Sequence, residues 1–385
     1  MHKKNLFYLS IILCLLLLTA GCGGSEQTGN PAEPSGDVKT SVSSNLVDNT
    51  NLDVDGSKET EVEKTDKKDA GNEEKTENNL KTNEKPVPAS KATRKTDQSR
   101  DRISLLITRD FGAKALVQEK PTVNKNENIL DVLETLAEVK TGYDGGLVIG
   151  INGLETNTGG LSGKRQDWFY FINGICADIG ARDYVLQAGE SIWWDYHVWE
   201  SVGPINSAVI GCYPEPFIHG YRGKTEPTTI MSHADDITLA DELQKSLKAQ
   251  GAASVSVKEL DENLLKKRQG PVIVVGEWDK LKDMPWLGKL NKAYRKNGTS
   301  VHFTDGNLEL LDYRGQVGQI VTKNAGVIAA SGGGLGDGSP LWLVTGTDRE
   351  GLQQAVNILV NSPERIRCLY SAAVISGKLV RLPLS

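Results

Sequence analysis

Between Tyr8 and Phe111 the chain has no aromatic residue, and once the N-terminal leader ends the apolar residues of that stretch are isolated. Such a segment cannot bury enough surface to offset its chain entropy, so it is excluded from any core. Aromatics make up only 6% of the 385 residues. Cysteine is scarce too: beyond Cys14 and Cys22 there remain Cys176, Cys212 and Cys368. Three thiols cannot all pair within one chain, and no disulfide-dense scaffold is built from so few. A Cys176–Cys212 bridge would tie the two halves of the folded part together; buried free thiols are the other reading. Basic excess is missing: residues 23–100 carry 12 basic and 16 acidic side chains, and residues 101–385 carry 30 and 34. Without a basic footprint for phosphates, nucleic acid is not expected as a partner.

Catalytic signatures are missing as well. There is no H-E-x-x-H, G-x-S-x-G, paired C-x-x-C or Asp-rich calcium loop. The histidines beyond the leader, at 197, 219, 233 and 302, lack metal-ligand spacing. The glycine-rich run Ser331–Gly338 does not have the G-x-G-x-x-G spacing before a helix, since Pro340 and an apolar run follow. The polar loop 155–165 contains no Walker sequence. The chain is therefore expected not to be an enzyme and to carry no cofactor or metal.

What is present begins with the leader. Lys3 and Lys4 precede an apolar run from Leu6 to Ala20, too short to span a membrane comfortably and followed by small residues, which is the form of a secretory signal. Its end, Leu18-Thr19-Ala20-Gly21-Cys22, resembles the bacterial lipoprotein lipobox, departing from it at Thr19, where Leu is commoner. The resemblance implies a signal peptide over 1–21, lipidation at Cys22, and a chain held on the extracellular face of the bacterial cell membrane by a stable two-chain anchor. The alternative is a secreted protein cleaved near Ala20. Residues 22–100, rich in Thr, Asn, Lys, Glu, Asp and Ser, read as a disordered tether. A flexible chain of that length would hold the folded part about 50 Å from the lipid.

Two folded domains are expected, over 101–203 and 205–385. In the first, strands at 103–108 and 116–123 precede a helix over 127–139, where Ile129, Leu130, Leu133, Leu136 and Ala137 share a face. Strands at 147–152, 168–173 and 190–199 follow. Two strands, one helix and further strands suggest an α+β sheet of β-grasp-like form. Four of the seven tryptophans lie between Trp168 and Trp199. Along the last strand Ile192, Trp194, Tyr196 and Val198 point one way, and Trp193, Asp195, His197 and Trp199 the other. The first set makes the better core. The second suits stacking on a flat or cyclic ligand with a few orienting hydrogen bonds, or else packing of Trp193 and Trp199 under a loop or the second domain.

The stretch from Trp168 through Tyr170, Asn173-Gly174, Tyr184, Leu186 and Gly189-Glu190 to Ile192, Trp194 and Tyr196 resembles the transcobalamin-like C-terminal domain family. That resemblance implies a ligand-binding role, with a corrinoid as one candidate ligand. The candidate ligand-binding residues are Trp168, Tyr170, Asn173, Trp193, Asp195, His197 and Trp199. The large helical domain that completes the site in animal cobalamin carriers has no counterpart here.

After 203 strands alternate with helices, expected at 239–249, 287–296 and 349–360. Strands are expected at 209–212, 255–257, 272–275, 327–330, 341–344 and 373–375. Uninterrupted apolar runs such as Val272-Ile273-Val274-Val275 suit strands covered on both faces, hence a three-layer-type α/β domain. Its end, Leu341 to Val360, is similar to S-layer-type and cell-envelope α/β domains. Thr347 or Asp348 there reads as a helix cap. The expected function is that of a lipid-anchored, cell-surface ligand-binding protein whose expected partners are the membrane and a membrane transporter; the alternative is a structural or adhesion module of the envelope that binds protein or wall glycan.

Overall fold

The computed structural model describes residues 101–385 apart from 161–162, 201–202 and 204–205. The leader, Cys22 and the expected tether lie outside the described residues, which all belong to one compact unit.

Short apolar stretches bounded by turn residues build the first part. Ser104–Arg109 (β1) and Lys114–Glu119 (β2) form an antiparallel hairpin through a turn in which Asp110, Phe111 and Gly112 all have positive φ. The helix Ile129–Leu136 (α1) is started by a capping box, in which Asn128 accepts from Asp131 N and Asp131 accepts from Asn128 N. It ends earlier than its apolar spacing predicts because Ala137 is already extended and leads into Val139–Gly142 (β3). Leu147–Ile151 (β4) and Leu154–Glu155 (β5) complete a small antiparallel sheet with β3. Arg165–Ile172 (β6), Ile175–Cys176 (β7) and Ser191–Trp199 (β8) join the first hairpin in a sheet of order β2-β1-β8-β6-β7. Within it β1 and β8 run parallel, and β6 runs antiparallel to β8.

The second part alternates. Thr228–Ser232 (β9), Ile237–Gln250 (α2), Val255–Glu259 (β10), Glu262–Lys266 (α3) and Val272–Glu277 (β11) are followed by Trp278–Leu281 (α4) and Pro285–Lys292 (α5). Val301–Thr304 (β12), Asn307–Leu311 (β13) and Val317–Val321 (β14) form a separate antiparallel sheet. Ala325–Ser331 (β15), Leu341–Gly346 (β16), Arg349–Asn361 (α6), Ser371–Ile375 (β17) and Lys378–Leu382 (β18) complete it. The main sheet runs β10-β9-β11-β16-β15-β17-β18; its first four strands are parallel and the rest are added antiparallel. Ile273 and Val275 face a core shared with Leu243 of α2 and Leu352 of α6, whereas Val272 and Val274 face Leu281, Leu287, Phe303 and Leu308. Both faces are covered, which is why these strands are apolar without alternation.

Residues 209–212 correct the sequence reading. They form the start of a long turn instead of a strand. Val209 N donates to Gly174 O at 2.9 Å and Ile210 N to Tyr370 O at 3.2 Å, so their hydrogen bonds go to two different elements and no ladder forms. Val209 and Cys212 pack in the seam with Trp193 and Tyr370, while Ile210 enters the core shared with Leu243 and Leu352. Asp348 caps α6 as expected, accepting from Gly351 N at 2.8 Å. A Cβ on Gly351 would lie 2.2 Å from Ala325 O, so the first turn of α6 rests directly on β15. Gly351→Ala should therefore push the helix off the sheet and cost about 2 kcal/mol, read as a lower denaturation midpoint of the full chain.

Candidate functional site

The side chains of β8 divide as the alternation predicts. Ile192, Trp194 and Tyr196 enter the core of the first part. Trp194 stacks on Tyr170 with ring centres 4.5 Å apart, and Trp168 packs 5.2 Å from Tyr196 while donating from Nε1 to Leu154 O at 2.9 Å. Tyr170 donates its hydroxyl to Ile179 O. Trp168 and Tyr170 thus belong to that core and its edge. Asn173 is fully buried in the turn between β6 and β7, where it accepts from Ser191 N at 2.8 Å and donates to Gly220 O at 2.9 Å, stitching the first sheet to the second part.

The other face of β8 meets the second part. Trp193 is wholly buried with Leu106, Phe171, Val209, Cys212 and Tyr370, and its Nε1 donates to Thr108 Oγ1 at 2.7 Å. Asp195 is wholly buried beside it. Its carboxylate accepts from Thr108 Oγ1, from Phe111 N and Gly112 N at 3.0 Å each, and from Tyr370 Oη at 3.2 Å, and it lies 2.8 Å from His197 Nδ1. Burial pushes its pKa up, but the hydrogen bonds from His197, Thr108 and Gly112 outweigh that and hold it below the usual carboxylate value. Burial, with the Asp195 charge adding to it, pushes the Tyr370 hydroxyl well above its ordinary value and keeps it a donor. The turn at 110–112 is clamped from the far side by Arg381, whose Nη1 donates to Phe111 O at 3.2 Å and Cys368 O at 2.8 Å.

His197 lies between two rings, 4.2 Å from Phe169 and 4.3 Å from Phe111. Its edge reaches a cavity of about 230 Å³ whose walls include Phe111, Phe169, Trp199, Tyr313 and Leu335, with Glu200 and Asn206 supplying polar groups. Trp199 carries the Arg165 guanidinium 5.3 Å from its ring, and Tyr313 carries that of Arg314 at 5.2 Å. Arg314 also pairs with Glu200 at 2.9 Å. Of the seven sequence candidates, the structure brings His197 and Trp199 to this cavity, sets Trp193 and Asp195 behind it in the seam, and leaves Trp168, Tyr170 and Asn173 elsewhere.

Sequence reasoning missed Phe169 and Phe111. Phe169 had a signal, because it alternates with Trp168 and Tyr170 on β6 and faces Asp195 across the register. Tyr313, Leu335 and Tyr370 had none, since only the tertiary fold delivers them. Among the described residues Cys176, Cys212 and Cys368 are all free, so no Cys176–Cys212 bridge forms. Burial pushes the Cys176 and Cys212 thiols up to about 12. Among the described residues no His, Cys, Asp and Glu cluster has the form of a metal site.

A second polar cluster crosses the seam. Glu190, buried, accepts from Tyr184 Oη at 2.5 Å and Gln187 N at 2.9 Å; Glu215, also buried, accepts from His219 N at 2.9 Å and lies 2.5 Å from His219 Nδ1. Desolvation raises the Glu190 pKa above its usual 4.5, and the hydrogen bond with Glu215 raises that of His219 above 6.5. A raised folded-state pKa means stability present at low pH and lost as pH rises through the folded value. Both groups therefore push stability down as the solution becomes alkaline, Glu190 from 4.5 upward and His219 from 6.5 upward. The thermal midpoint should be higher near pH ~6 than near pH ~8, and the difference should shrink in His219→Gln.

No curated protein matches the chain. Residues 126–198, from just before α1 to the end of β8, match the family described as a domain of unknown function (DUF4430), a transcobalamin-like domain family.

Proposed function

We propose that this is a lipid-anchored protein of the outer cell surface that captures a small ligand without transforming it, and that the ligand enters the cavity beside His197 and Trp199. The cavity carries the reading: aromatic walls, few polar groups and an opening at the junction of two covered sheets. Burial pushes the thiol at the cavity, Cys176, up to about 12, so it does not act as a nucleophile there at neutral pH. At about 230 Å³ the cavity lies just below the ~300–1,000 Å³ typical of drug-sized ligands, so it takes one ring and not a macrocycle. Of a corrinoid, only a peripheral group would enter. Parallel β1 and β8 with a helix between the hairpin and the later strands support a β-grasp-like first part, and a mixed sheet covered on both faces supports a three-layer second part.

The full chain, titrated with cobalamin and with single-ring compounds by calorimetry, should show saturable binding of at least one, weakened in Trp199→Ala. No binding by any of them would overturn the reading. The anchor is tested by feeding labelled palmitate to expressing cells: label should appear in the chain and vanish in Cys22→Ser.

A further inference from the structure

The chemistry of the cavity walls narrows the ligand, on the reading that this cavity is the binding site. Asp195 is an ionised acceptor already aligned on His197 Nδ1 at 2.8 Å, and Tyr370 Oη stands 3.2 Å from the same nitrogen. In the neutral ring the hydrogen therefore sits on Nδ1, directed at Asp195, and Nε2 is left as an acceptor for whatever enters. Phe111 and Phe169 on the two sides of the imidazole keep it from turning away. Glu200 gives one carboxylate oxygen, Oε1, to Arg314 at 2.9 Å and has a second to offer. Asn206 adds an amide that can donate as well as accept, so the wall suits a ligand whose groups do both, as hydroxyls do.

Three ligand classes fit poorly. An anion would face the carboxylates of Glu200 and, behind His197, Asp195. A cation would meet the positive charges of Arg165 and Arg314, each of which lies over one face of a ring, Trp199 and Tyr313, at 5.3 and 5.2 Å. A wholly apolar ring would strip water from His197 Nε2 and Glu200 without replacing its hydrogen bonds. A neutral ring with an apolar face and several hydroxyls at its edge meets each condition. We infer that the cavity binds a neutral sugar ring, a pyranose at the end of a glycan or glycoside, stacked on the aromatic wall with one hydroxyl donating to His197 Nε2 and another to Glu200.

The test is calorimetric titration of the full chain with methyl glycosides of glucose, galactose, mannose and N-acetylglucosamine, with cyclohexanol, indole and cobalamin as comparators. At least one glycoside should bind saturably and at least tenfold more tightly than cyclohexanol. Trp199→Ala and Glu200→Gln should each weaken it several-fold, with thermal midpoints close to that of the parent. Binding of cyclohexanol or indole as tight as that of every glycoside, cobalamin binding in the absence of glycoside binding, or glycoside binding untouched by both substitutions would overturn the inference. The first two of these results would leave the cavity a ligand site for another class. Failure of every compound would remove the sugar and the site together.

Discussion

Asp195→Ala should cost the protein about 3–5 kcal/mol, the range for breaking a buried charged pair by removing one partner. The carboxylate is fully buried and serves Thr108, Phe111 N, Gly112 N, His197 and Tyr370. Alanine would leave those donors facing one another across a small void. Three separate pieces are joined there: β1 with its turn, β8, and the Tyr370 segment before β17. The loss should therefore appear as one cooperative drop in the urea midpoint of the full chain, without separate melting of the first part. Asp195→Asn keeps the shape but can accept at only one side-chain atom, so it should lose a smaller amount, about half. It should also change the acid limb. A carboxylate whose folded pKa is depressed stabilises above its unfolded value, here 3.8, and that stabilisation disappears as pH falls through the folded value. In Asp195→Asn the extra loss of stability below that pH should be missing; an unchanged acid limb would mean that Asp195 is not the ionised hub of the seam.

Trp193→Ala should be nearly as damaging, about 3–5 kcal/mol, because it empties the largest side chain of the seam and strands Thr108. Trp199→Ala, six residues further along the same face and partly exposed beside Arg165, should cost under about 1 kcal/mol. Ligand binding should divide the other way: abolished or weakened by Trp199→Ala at full stability, and affected by Trp193→Ala only as far as the fold is. Chemical denaturation and titration of the same two variants decide it. Equal stability losses would show that the inner and outer ends of this face do not have separate roles.

The contrast shows how far the strand could be read in advance. Period-two alternation correctly separated the face of Trp194 and Tyr196 from that of Trp193, Asp195, His197 and Trp199, because the pleat allows no other arrangement. It could not say what the second face meets. Had that face opened to solvent, all four residues would line a cleft; instead Tyr370 and Val209 cover its inner half, and of the four His197 and Trp199 line the cavity described above. The same limit explains residues 209–212. A run of four apolar or small residues resembles a buried strand, but this one fills a seam, and local composition is the same for both. In the second part β9 was missed, though it lies between β10 and β11 in the middle of a sheet, because Thr228, Thr229 and Ser232 dilute its apolar signal.

The sequence by itself determined the places of α1, α2 and α6 from apolar spacing, helped at α6 by the capping Asp348, and the strands of uninterrupted valine and isoleucine that needed cover on both faces. It also marked the aromatic segment 168–199 as the place to look. Those properties are local: hydrogen-bond caps, periodicity and the need to bury apolar surface act over a few residues. Only the tertiary structure decided that Asp195 and His197 share a buried network with Tyr370, and that the cavity is closed by Tyr313 and Leu335. Those contacts join residues more than a hundred positions apart, and no short-range pattern specifies which distant side chain will arrive to complete a site.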